Sequence, residues 1–248
     1  MKPFNLVSIL FIVFIFGCNE HKKEIINADV IINESIEASG GTNIASSVIG
    51  FDFRDKHYRA IRNKGIFQFE RYIKDSTRTI KDVLMNKGFR RYIEDSLIEI
   101  PDSIAVQYAA SVNSVHYFSV LPYGLNSKAV NKTFLGTVDI NGIDYYKIKV
   151  TFNEEGGGED FEDVYVYWVN TKTKKVDYLA YSYNESDGKG LRFREAYNER
   201  FVKGIRFIDY NNYKPKETFS NLLKLDSLFV NNELELLSKI ELKNITVN

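Results

Sequence analysis

Short alternations of apolar and polar residues fill two long parts of the chain. In residues 48–100 they recur in brief runs, separated by tripeptides such as Asn63-Lys64-Gly65 and Asn86-Lys87-Gly88. A period of two residues is typical of strands with one buried face, and Asn-Lys-Gly suits hairpin turns. Residues 132–213 resume the alternation with more aromatic side chains. Both parts therefore predict antiparallel strands in meander order.

Two segments have the spacing of helices instead. Asn27 can cap a helix over residues 28–39, which Gly40-Gly41 would end. Pro101 and Asp102 open a second helix that runs to Phe118. The predicted buried sides are Ala28, Ile31, Ile32, Ser35, Ile36 and Ser39 in the first helix and Ile104, Ala105, Tyr108, Val112 and Val115 in the second. A short helix over residues 218–230 and an extended tail complete the prediction.

The faces of the predicted strands indicate how the sheet is covered. In residues 145–152 one face carries Tyr146, Ile148, Val150 and Phe152, whereas the other carries two lysines. Residues 164–169 are apolar or aromatic at every position, which predicts a strand buried on both sides. We predict a mainly β (α+β) fold, in which a large curved antiparallel sheet wraps around a few helices. The absence of a Pro/Ser-rich linker and of a repeat favours one domain over residues 28–248.

The start of the chain has a different pattern. A basic start precedes residues 6–16, which are apolar apart from Ser8. That run has the length of the apolar core of a signal peptide and is too short to span a bilayer. Ile15-Phe16-Gly17-Cys18 resembles the lipobox of bacterial lipoproteins, although Phe16 departs from the usual small residue. We predict a signal peptide over residues 1–17 and diacylglyceryl modification of Cys18, the single cysteine.

The lipobox resemblance also implies a location. Residues 18–27 would form a lipidated tether that spans about 30 Å when extended. Asn19 follows the cysteine, which by the enteric sorting rule implies an outer-membrane lipoprotein on the periplasmic or surface face. The 33 basic and 33 acidic side chains balance, which argues against a nucleic-acid partner. We expect a monomer whose membrane contact is the lipidated cysteine.

The order of these elements resembles a known fold. An amphipathic helix ending in Ser39-Gly40-Gly41, a long meander, a mid-chain helix and a second, aromatic set of strands are similar to the LolA/LolB half-barrel. The segments SVNSVHYFSVLPYGL, KVTFNEEGGGEDFEDVYVYWVN and LRFREAYNERFVKGIRFIDYNNYKP resemble, more closely, an uncharacterised family of Gram-negative outer-membrane lipoproteins assigned to that fold. The resemblance covers residues 28–216 and implies a half-barrel, but no established activity.

Two arginines are the most specific site candidates. Arg192 and Arg194 share one face of a predicted strand, about 7 Å apart. On an inner face these cations would need carboxylate partners, such as Asp209, or an anionic ligand. An outward ladder of salt bridges is the alternative interpretation. If they face inward, we expect Arg194 to orient the headgroup of a ligand.

The remaining candidates are aromatic or acidic. Tyr146, Trp168, Tyr181 and Tyr183, together with Tyr167, would either line an apolar cavity or form ordinary sheet core. His116 lies at the edge of the second helix and is either a ligand-binding residue or a hydrogen-bonded core residue. Residues 153–163 are acidic and rich in glycine, and they could form a calcium-binding loop. The alternate spacing of calcium ligands is missing, so we favour a solvated hairpin tip, which would act as a lid at the cavity mouth.

These features suggest a function by binding. The first hypothesis is a membrane-tethered protein that buries a lipid or another hydrophobic ligand in a half-barrel cavity. The alternative is an interaction or sensor module of the envelope without a small ligand. A hydrolase is a third possibility, but the sequence contains neither H-E-x-x-H nor G-x-S-x-G. We therefore expect no enzymatic activity, no cofactor and no metal ion.

Overall fold

Antiparallel strands account for most of the ordered structure. The structure, a computed structural model, describes residues 26–157, 161–185, 188–219 and 221–248. The helices are α1 (Ala28–Ala38), α2 (Gly41–Ile44), α3 (Asp102–Phe118), a 3-10 turn (Leu222–Lys224) and α4 (Leu225–Val230). The strands are β1 (Val48–Phe53), β2 (Lys56–Asn63), β3 (Ile66–Lys74), β4 (Thr79–Met85), β5 (Gly88–Ile93), β6 (Ser96–Ile98), β7 (Val130–Ile140), β8 (Ile143–Phe152), β9 (Val164–Asn170), β10 (Val176–Glu185), β11 (Gly188–Val202), β12 (Ile205–Pro215), β13 (Leu234–Ile240) and β14 (Leu242–Val247).

The strands form two curved, unclosed sheets rather than the one large sheet predicted from the sequence. Sheet A has the order β14-β1-β2-β3-β4-β5-β6, and sheet B has the order β13-β12-β11-β10-β9-β8-β7. All pairings are antiparallel between the described strands. The predicted fold class, mainly β with a few helices, is confirmed.

The C-terminal tail is what connects the two sheets. It was predicted only as an extended segment, but β13 pairs with β12 in sheet B and β14 pairs with β1 in sheet A. Glu241 lies between these strands and accepts a hydrogen bond from the Tyr197 hydroxyl at 2.9 Å. The last residues of the chain therefore fix how the two halves of the β structure meet.

Helix α1 packs on the inner face of sheet B, as the sequence pattern predicts. The Asn27 side chain accepts a hydrogen bond from the Asp29 amide at 2.8 Å, which confirms the N-cap. Ile31, Ile32 and Ile36 are buried in one cluster with residues of sheet B. Gly40 has a φ of +86° and ends the helix in a left-handed conformation.

Sheet B is covered on both sides. Tyr167 and Val169 of β9 belong to the inner cluster with α1, whereas Val166 and Trp168 belong to an outer cluster beneath α4. On the outer side, the Lys147 ammonium contacts Asp226 of α4 at 2.6 Å. The Trp168 indole N–H also donates to Asp226, at 3.1 Å. These contacts confirm that β9 is buried on both faces.

Helix α3 lies against the inner face of sheet A. Its second half is buried through Val112, Val115 and His116. Its first half differs from the prediction, because Ile104 is exposed and Ala105 and Tyr108 are only half-buried. An open cavity, lined by Val106, Ala109 and Ala110, lies beside this half of the helix instead of a packed core.

Candidate functional site: a cavity between the two sheets

A cavity of about 1100 Å³ lies between the sheets and beside α3. Sheet A contributes side chains from β1 to β4, and sheet B contributes side chains from β8 to β13. Because side chains alternate along a strand, only one face of each contributing strand can point toward the cavity, and part of that face lines it. Much of the wall is aromatic: Phe53, Tyr58, Phe118, Phe152, Tyr165 and Tyr181 all line it.

Stacked tyrosines form the wall contributed by sheet B. The Tyr165 ring stacks on Tyr181 at 5.4 Å between centroids and on Tyr167 at 6.2 Å. Phe152 meets Tyr165 edge to face at 5.8 Å. Leu179 and Ile240 extend the apolar surface. This wall offers a broad apolar surface that is bounded by tyrosine hydroxyls.

The charges of the cavity wall are mostly positive. Among the lining residues within the described ranges, four are basic (Arg54, Lys56, Arg71 and Arg194), whereas Asp163 is the one acid. Arg71 is nearly buried, and its guanidinium contacts Asp82 at 2.7 Å and the Ser111 hydroxyl at 2.8 Å.

The Arg71 cluster carries an excess positive charge. Arg91 also contacts Asp82, at 2.7 Å, so two guanidinium groups share one fully buried carboxylate. The Arg91 guanidinium lies over the Tyr108 ring of α3, 3.6 Å from its centroid. The cluster therefore retains one net positive charge in a region where little water can screen it.

Arg194 reaches the cavity from the middle of β11. Its Nη2 donates to the Tyr181 hydroxyl at 2.9 Å. The guanidinium lies over the rings of Tyr181, Phe118 and Tyr210, at 4.9, 5.6 and 6.0 Å. Its Nε is buried and has no hydrogen-bond partner. Arg194 is thus a cation that is surrounded by aromatic rings, and at least one of its N–H donors has no acceptor.

Further unpartnered polar atoms lie around Arg194. The Asn212 Oδ1 atom is buried without a hydrogen-bond partner. The buried Tyr117 hydroxyl lies near the Tyr167 hydroxyl but makes no hydrogen bond of standard geometry. Asn212 and Tyr117 both line the cavity. The Tyr210 hydroxyl is also unpartnered, and burial raises the pKa of Tyr210 to about 12. Burial also raises the pKa of Tyr117. Both phenols are therefore neutral hydrogen-bond donors at physiological pH.

The residues selected from the sequence occupy different places. Tyr181 and Arg194 line the cavity. Tyr183 is close to Tyr181, at 5.8 Å between ring centroids, and Arg192 lies over the Tyr183 ring at 4.9 Å. Neither Tyr183 nor Arg192 is among the lining residues that the structure describes.

Tyr146 and Trp168 also lie away from the cavity wall. Tyr146 packs against Phe134 of the edge strand β7 at 6.1 Å. Trp168 is on the outer face of sheet B, because neighbouring residues of a strand point to opposite sides. Of the two alternatives for these aromatic residues, the structure places Tyr181 at the cavity wall and Trp168 in the sheet core.

His116 lies in the core between α3 and sheet A. It is fully buried, stacks on Phe69 at 4.7 Å, and its Nε2 lies 3.1 Å from the Glu70 carbonyl oxygen. Burial lowers the pKa of His116 to about 3, so the imidazole is neutral in the folded protein. It is not among the described lining residues of the cavity.

The expected pairing of Asp209 with Arg192 or Arg194 is wrong. Asp209 accepts from Arg200 at 2.9 Å and from Asn198 at 2.6 Å. Arg194 is opposite Asn212 on β12, and Asp209 is three residues away from Asn212. An odd separation places Asp209 on the opposite face of the strand, away from the cavity. Arg194 itself faces inward, so it is not part of an outward ladder.

The acidic loop borders the cavity. Gly157 and Asp163 are lining residues, while residues 158–160 lie outside the described ranges. Calcium binding by residues 153–163 remains an untested interpretation. Within the described residues, no group of three or more His, Cys, Asp or Glu side chains could hold a metal ion.

The predicted lipidation site lies outside the described residues. Residues 1–25, which include the predicted signal peptide and Cys18, have no described structure. Within the described part of the chain, no helix has the length and hydrophobicity needed to cross a membrane.

Sequence reasoning missed several cavity residues. Asn212, Tyr117, Phe118 and Tyr165 all line the cavity. A signal for Asn212 was present, because it shares its strand face with Ile208 and Tyr210, which are both apolar or aromatic. Tyr117 and Phe118 lie at the end of α3, where only the tertiary structure determines which side chain turns toward sheet B.

Comparisons with known proteins support the family but not a function. The profile of a family of unknown function (DUF6503) matches residues 4–242. A LolA superfamily protein from Nitrosomonas europaea is similar in structure, with 11% identity, coverage of 90% of this chain and 92% of that chain, and a TM-score of 0.47. None of the curated proteins matches the chain.

Two other solved structures are similar at the same level. A DUF1329 family protein from Desulfovibrio piger has 9% identity, covers 88% of this chain and 92% of that chain, and has a TM-score of 0.42. A domain from Vibrio parahaemolyticus, described as an outer membrane lipoprotein-sorting protein domain, has 7% identity and a TM-score of 0.41. The match covers 75% of this chain and 86% of that chain. At these identities, no ligand can be transferred from them to this chain.

Proposed function

Because the chain belongs to DUF6503, a family of unknown function, we propose its function from the cavity: it binds a lipid or another hydrophobic ligand between its two sheets. Cys18 would anchor the protein to the outer membrane of the envelope through its diacylglyceryl group. The protein would act by burial of the ligand, without enzymatic chemistry.

The observation that carries this proposal is the aromatic cavity itself. Its volume of about 1100 Å³ slightly exceeds the ~300–1,000 Å³ that is usual for pockets of small ligands. Each methylene group that leaves water gains about 0.8 kcal/mol, so a buried chain of ten methylenes gains roughly 8 kcal/mol before the costs of binding. When the cavity is filled, apolar residues such as Val106, which otherwise face water, pack against the ligand.

The short tether supports a ligand of membrane origin. Helix α1 begins at Ala28, so nine residues separate it from Cys18. Nine residues span about 30 Å at most. A cavity held this close to a bilayer could exchange a lipid with it without a long path through water.

A neutral fluorescent probe tests the binding function. We would titrate the protein with N-phenyl-1-naphthylamine, whose emission rises in an apolar site. Saturable binding is expected for the wild type. The Ala110→Phe variant fills the cavity from α3 and should weaken binding about ten-fold or more.

Ala105 provides the matched control. It lies on the same helix but is not among the described lining residues, so Ala105→Phe should bind the probe as the wild type does. An equal loss of binding in both variants, or no saturable binding by the wild type, would contradict the proposal.

One observation favours a second candidate, an interaction module. Leu236 and Leu237 are 51% and 46% exposed on β13, which is an edge strand of sheet B. Exposed apolar residues on an edge strand are suited to pairing with another chain. A crosslinked envelope protein that is retained in Ala110→Phe and lost in Leu236→Lys would favour this candidate over ligand burial.

A further inference from the structure

The environment of Arg194 is incomplete without a further polar group. The guanidinium contacts three aromatic rings and one neutral hydroxyl, and its buried Nε has no partner. Cation–π contacts compensate only part of the cost of removing a cation from water. A charge-assisted hydrogen bond to an anionic oxygen is the contact that suits a planar guanidinium best.

Asn212 presents a second unpartnered atom at the same place. It is directly opposite Arg194 in the register of β11 and β12. Its Nδ2 donates to the Ser238 hydroxyl at 3.1 Å, and its Oδ1 is buried without a partner. Because a serine hydroxyl both donates and accepts, the amide can rotate and present either end to the cavity. Asn212 is therefore able to bind an oxygen or a hydroxyl of a ligand.

The Tyr117 hydroxyl adds a neutral donor from the opposite side. Tyr117 is at the end of α3, whereas Arg194 and Asn212 are on sheet B. All three residues line the same cavity, and each has one buried polar atom without a partner. Within the described residues, the polar atoms left unsatisfied at the cavity wall belong to these three side chains.

The net charge of the cavity wall determines whether an anionic or a cationic headgroup is favoured. The Arg71 and Arg91 guanidinium groups share the Asp82 carboxylate, which leaves one positive charge beside the cavity. Arg194 and Arg54 each add a positive charge, whereas Lys56 is paired with Asp55. Asp163, the one acid among the described lining residues, removes one charge, so the wall keeps a positive excess. A low-dielectric cavity with this excess attracts an anion and disfavours a cationic headgroup.

We propose that the ligand is an amphiphile with an anionic headgroup, either a carboxylate or a phosphate, and that Arg194, Asn212 and Tyr117 bind this headgroup while the aromatic wall buries the chain. This inference rests on the proposed binding function and specifies its ligand class. Arg194 supplies the charge-assisted hydrogen bond, and the other two residues satisfy the remaining oxygens of the headgroup.

Photolabelling with matched probes tests this assignment. The full chain would be incorporated into phosphatidylcholine nanodiscs with palmitic acid, hexadecanol or phosphatidic acid, each carrying a diazirine in its chain. Mass spectrometry would then quantify the label on cavity peptides. We expect roughly ten-fold more labelling by at least one anionic probe than by the neutral alcohol. The anionic probe that labels identifies a carboxylate or a phosphate as the source.

Two glutamine variants locate the headgroup site. Arg194→Gln should abolish the preference for the anionic probe while the alcohol still labels the cavity, which also shows that the variant is folded. Arg192→Gln removes the same charge two residues away on the same strand face, outside the described cavity wall, and should keep the preference.

The outcomes separate this inference from the binding function. Equal labelling of cavity peptides by the acids and the alcohol in the wild type would overturn the headgroup site and leave hydrophobic binding intact. A preference that persists in Arg194→Gln would also overturn it. Labelling by none of the three probes would overturn both proposals.

Discussion

Arg194 on β11 and Asn212 on β12 are directly opposite each other, and each holds a buried polar atom without a hydrogen-bond partner. A folded protein rarely leaves two such atoms side by side, because each costs about 1–3 kcal/mol when unsatisfied. Under the proposed function, a ligand bound in the aromatic cavity would satisfy both atoms and recover this cost.

The proposed lipidation of Cys18 gives the first prediction. Cys18→Ala removes the only thiol that could be acylated. Because a diacylglyceryl group supplies two chains, its loss should release the protein from the membrane fraction. Metabolic labelling with a fatty acid and fractionation would measure both effects. Unchanged membrane association together with unchanged label would show that Cys18 is not the anchor.

The contact between Lys147 and Asp226 gives a prediction about stability. Asp226→Ala leaves the buried Lys147 ammonium without its carboxylate and removes the acceptor of the Trp168 indole. An uncompensated buried charge costs about 3–5 kcal/mol, so the free energy of unfolding should fall by that amount. Urea unfolding would measure it, with the emission of Trp168, the single tryptophan, reporting on the docking of α4.

The double variant Lys147→Met with Asp226→Leu is the control for this prediction. It removes both charges and should be clearly more stable than Asp226→Ala, because no charge remains buried alone. A loss of less than about 1 kcal/mol in the single variant would show that the ion pair is not buried as the structure has it.

The buried His116 imidazole should make the free energy of unfolding depend on pH. Its pKa is about 3 in the folded protein because of burial, below the ~6.5 of an unfolded chain. The unfolded state therefore binds the proton first, and this group's contribution to stability falls as the pH decreases from about 6.5 toward 3. The slope should be about 1.4 kcal/mol per pH unit.

The interval from pH 6.5 to 5 separates this effect from carboxylates whose pKa is lowered in the folded protein. Glu70, for example, has a lowered pKa in the folded protein, so its contribution is lost only near and below its ordinary value. Burial raises the pKa of Asp177, which therefore opposes the effect of His116 as the pH falls. Unfolding in urea at both pH values should show a loss of roughly 2 kcal/mol for the wild type. His116→Phe should reduce this loss. An identical loss in the variant would assign the effect to other groups.

The close approach of Gly40 to Gly204 leaves no room for a side chain at position 40. An added Cβ would clash with the Gly204 carbonyl oxygen, and the φ of +86° is itself unfavourable for alanine. Gly40→Ala should therefore destabilise the protein by more than the ~1 kcal/mol that backbone strain alone costs.

Gly142 is the matched control. Its φ is +82°, but no atom lies within 4 Å of an added Cβ. Gly142→Ala should show the backbone strain without the clash. Equal changes in thermal unfolding temperature for the two variants would show that α1 does not pack closely on the turn between β11 and β12.

Much of the fold was predictable because its signals are local. The Asn27 cap, the extent of α3 and the strands of both meanders follow from periodicity and turn residues. The division into two sheets was not predictable, because it depends on the pairing of β14 with β1 at the other end of the chain. Residues far apart in sequence leave no local pattern that identifies them as partners.

The site was predictable only in part for a related reason. Alternation shows that Tyr181 and Arg194 can face one side, but it does not show which side is the cavity. Trp168 and Arg192 illustrate the two errors: Trp168 points to the outer face beneath α4, and Arg192 lies beyond the described cavity wall. Aromatic strands favour cores and cavities equally, so only the packing of α3 and α4 separates the two.

Native mass spectrometry of the protein, gently extracted from its own membrane, is the decisive test of ligand binding in the cavity. We expect an added mass corresponding to one lipid per protein molecule, present in the wild type and in Ala105→Phe and strongly reduced in Ala110→Phe. Protein that is repeatedly free of added mass, or an equal added mass in Ala110→Phe, would contradict ligand binding in the cavity.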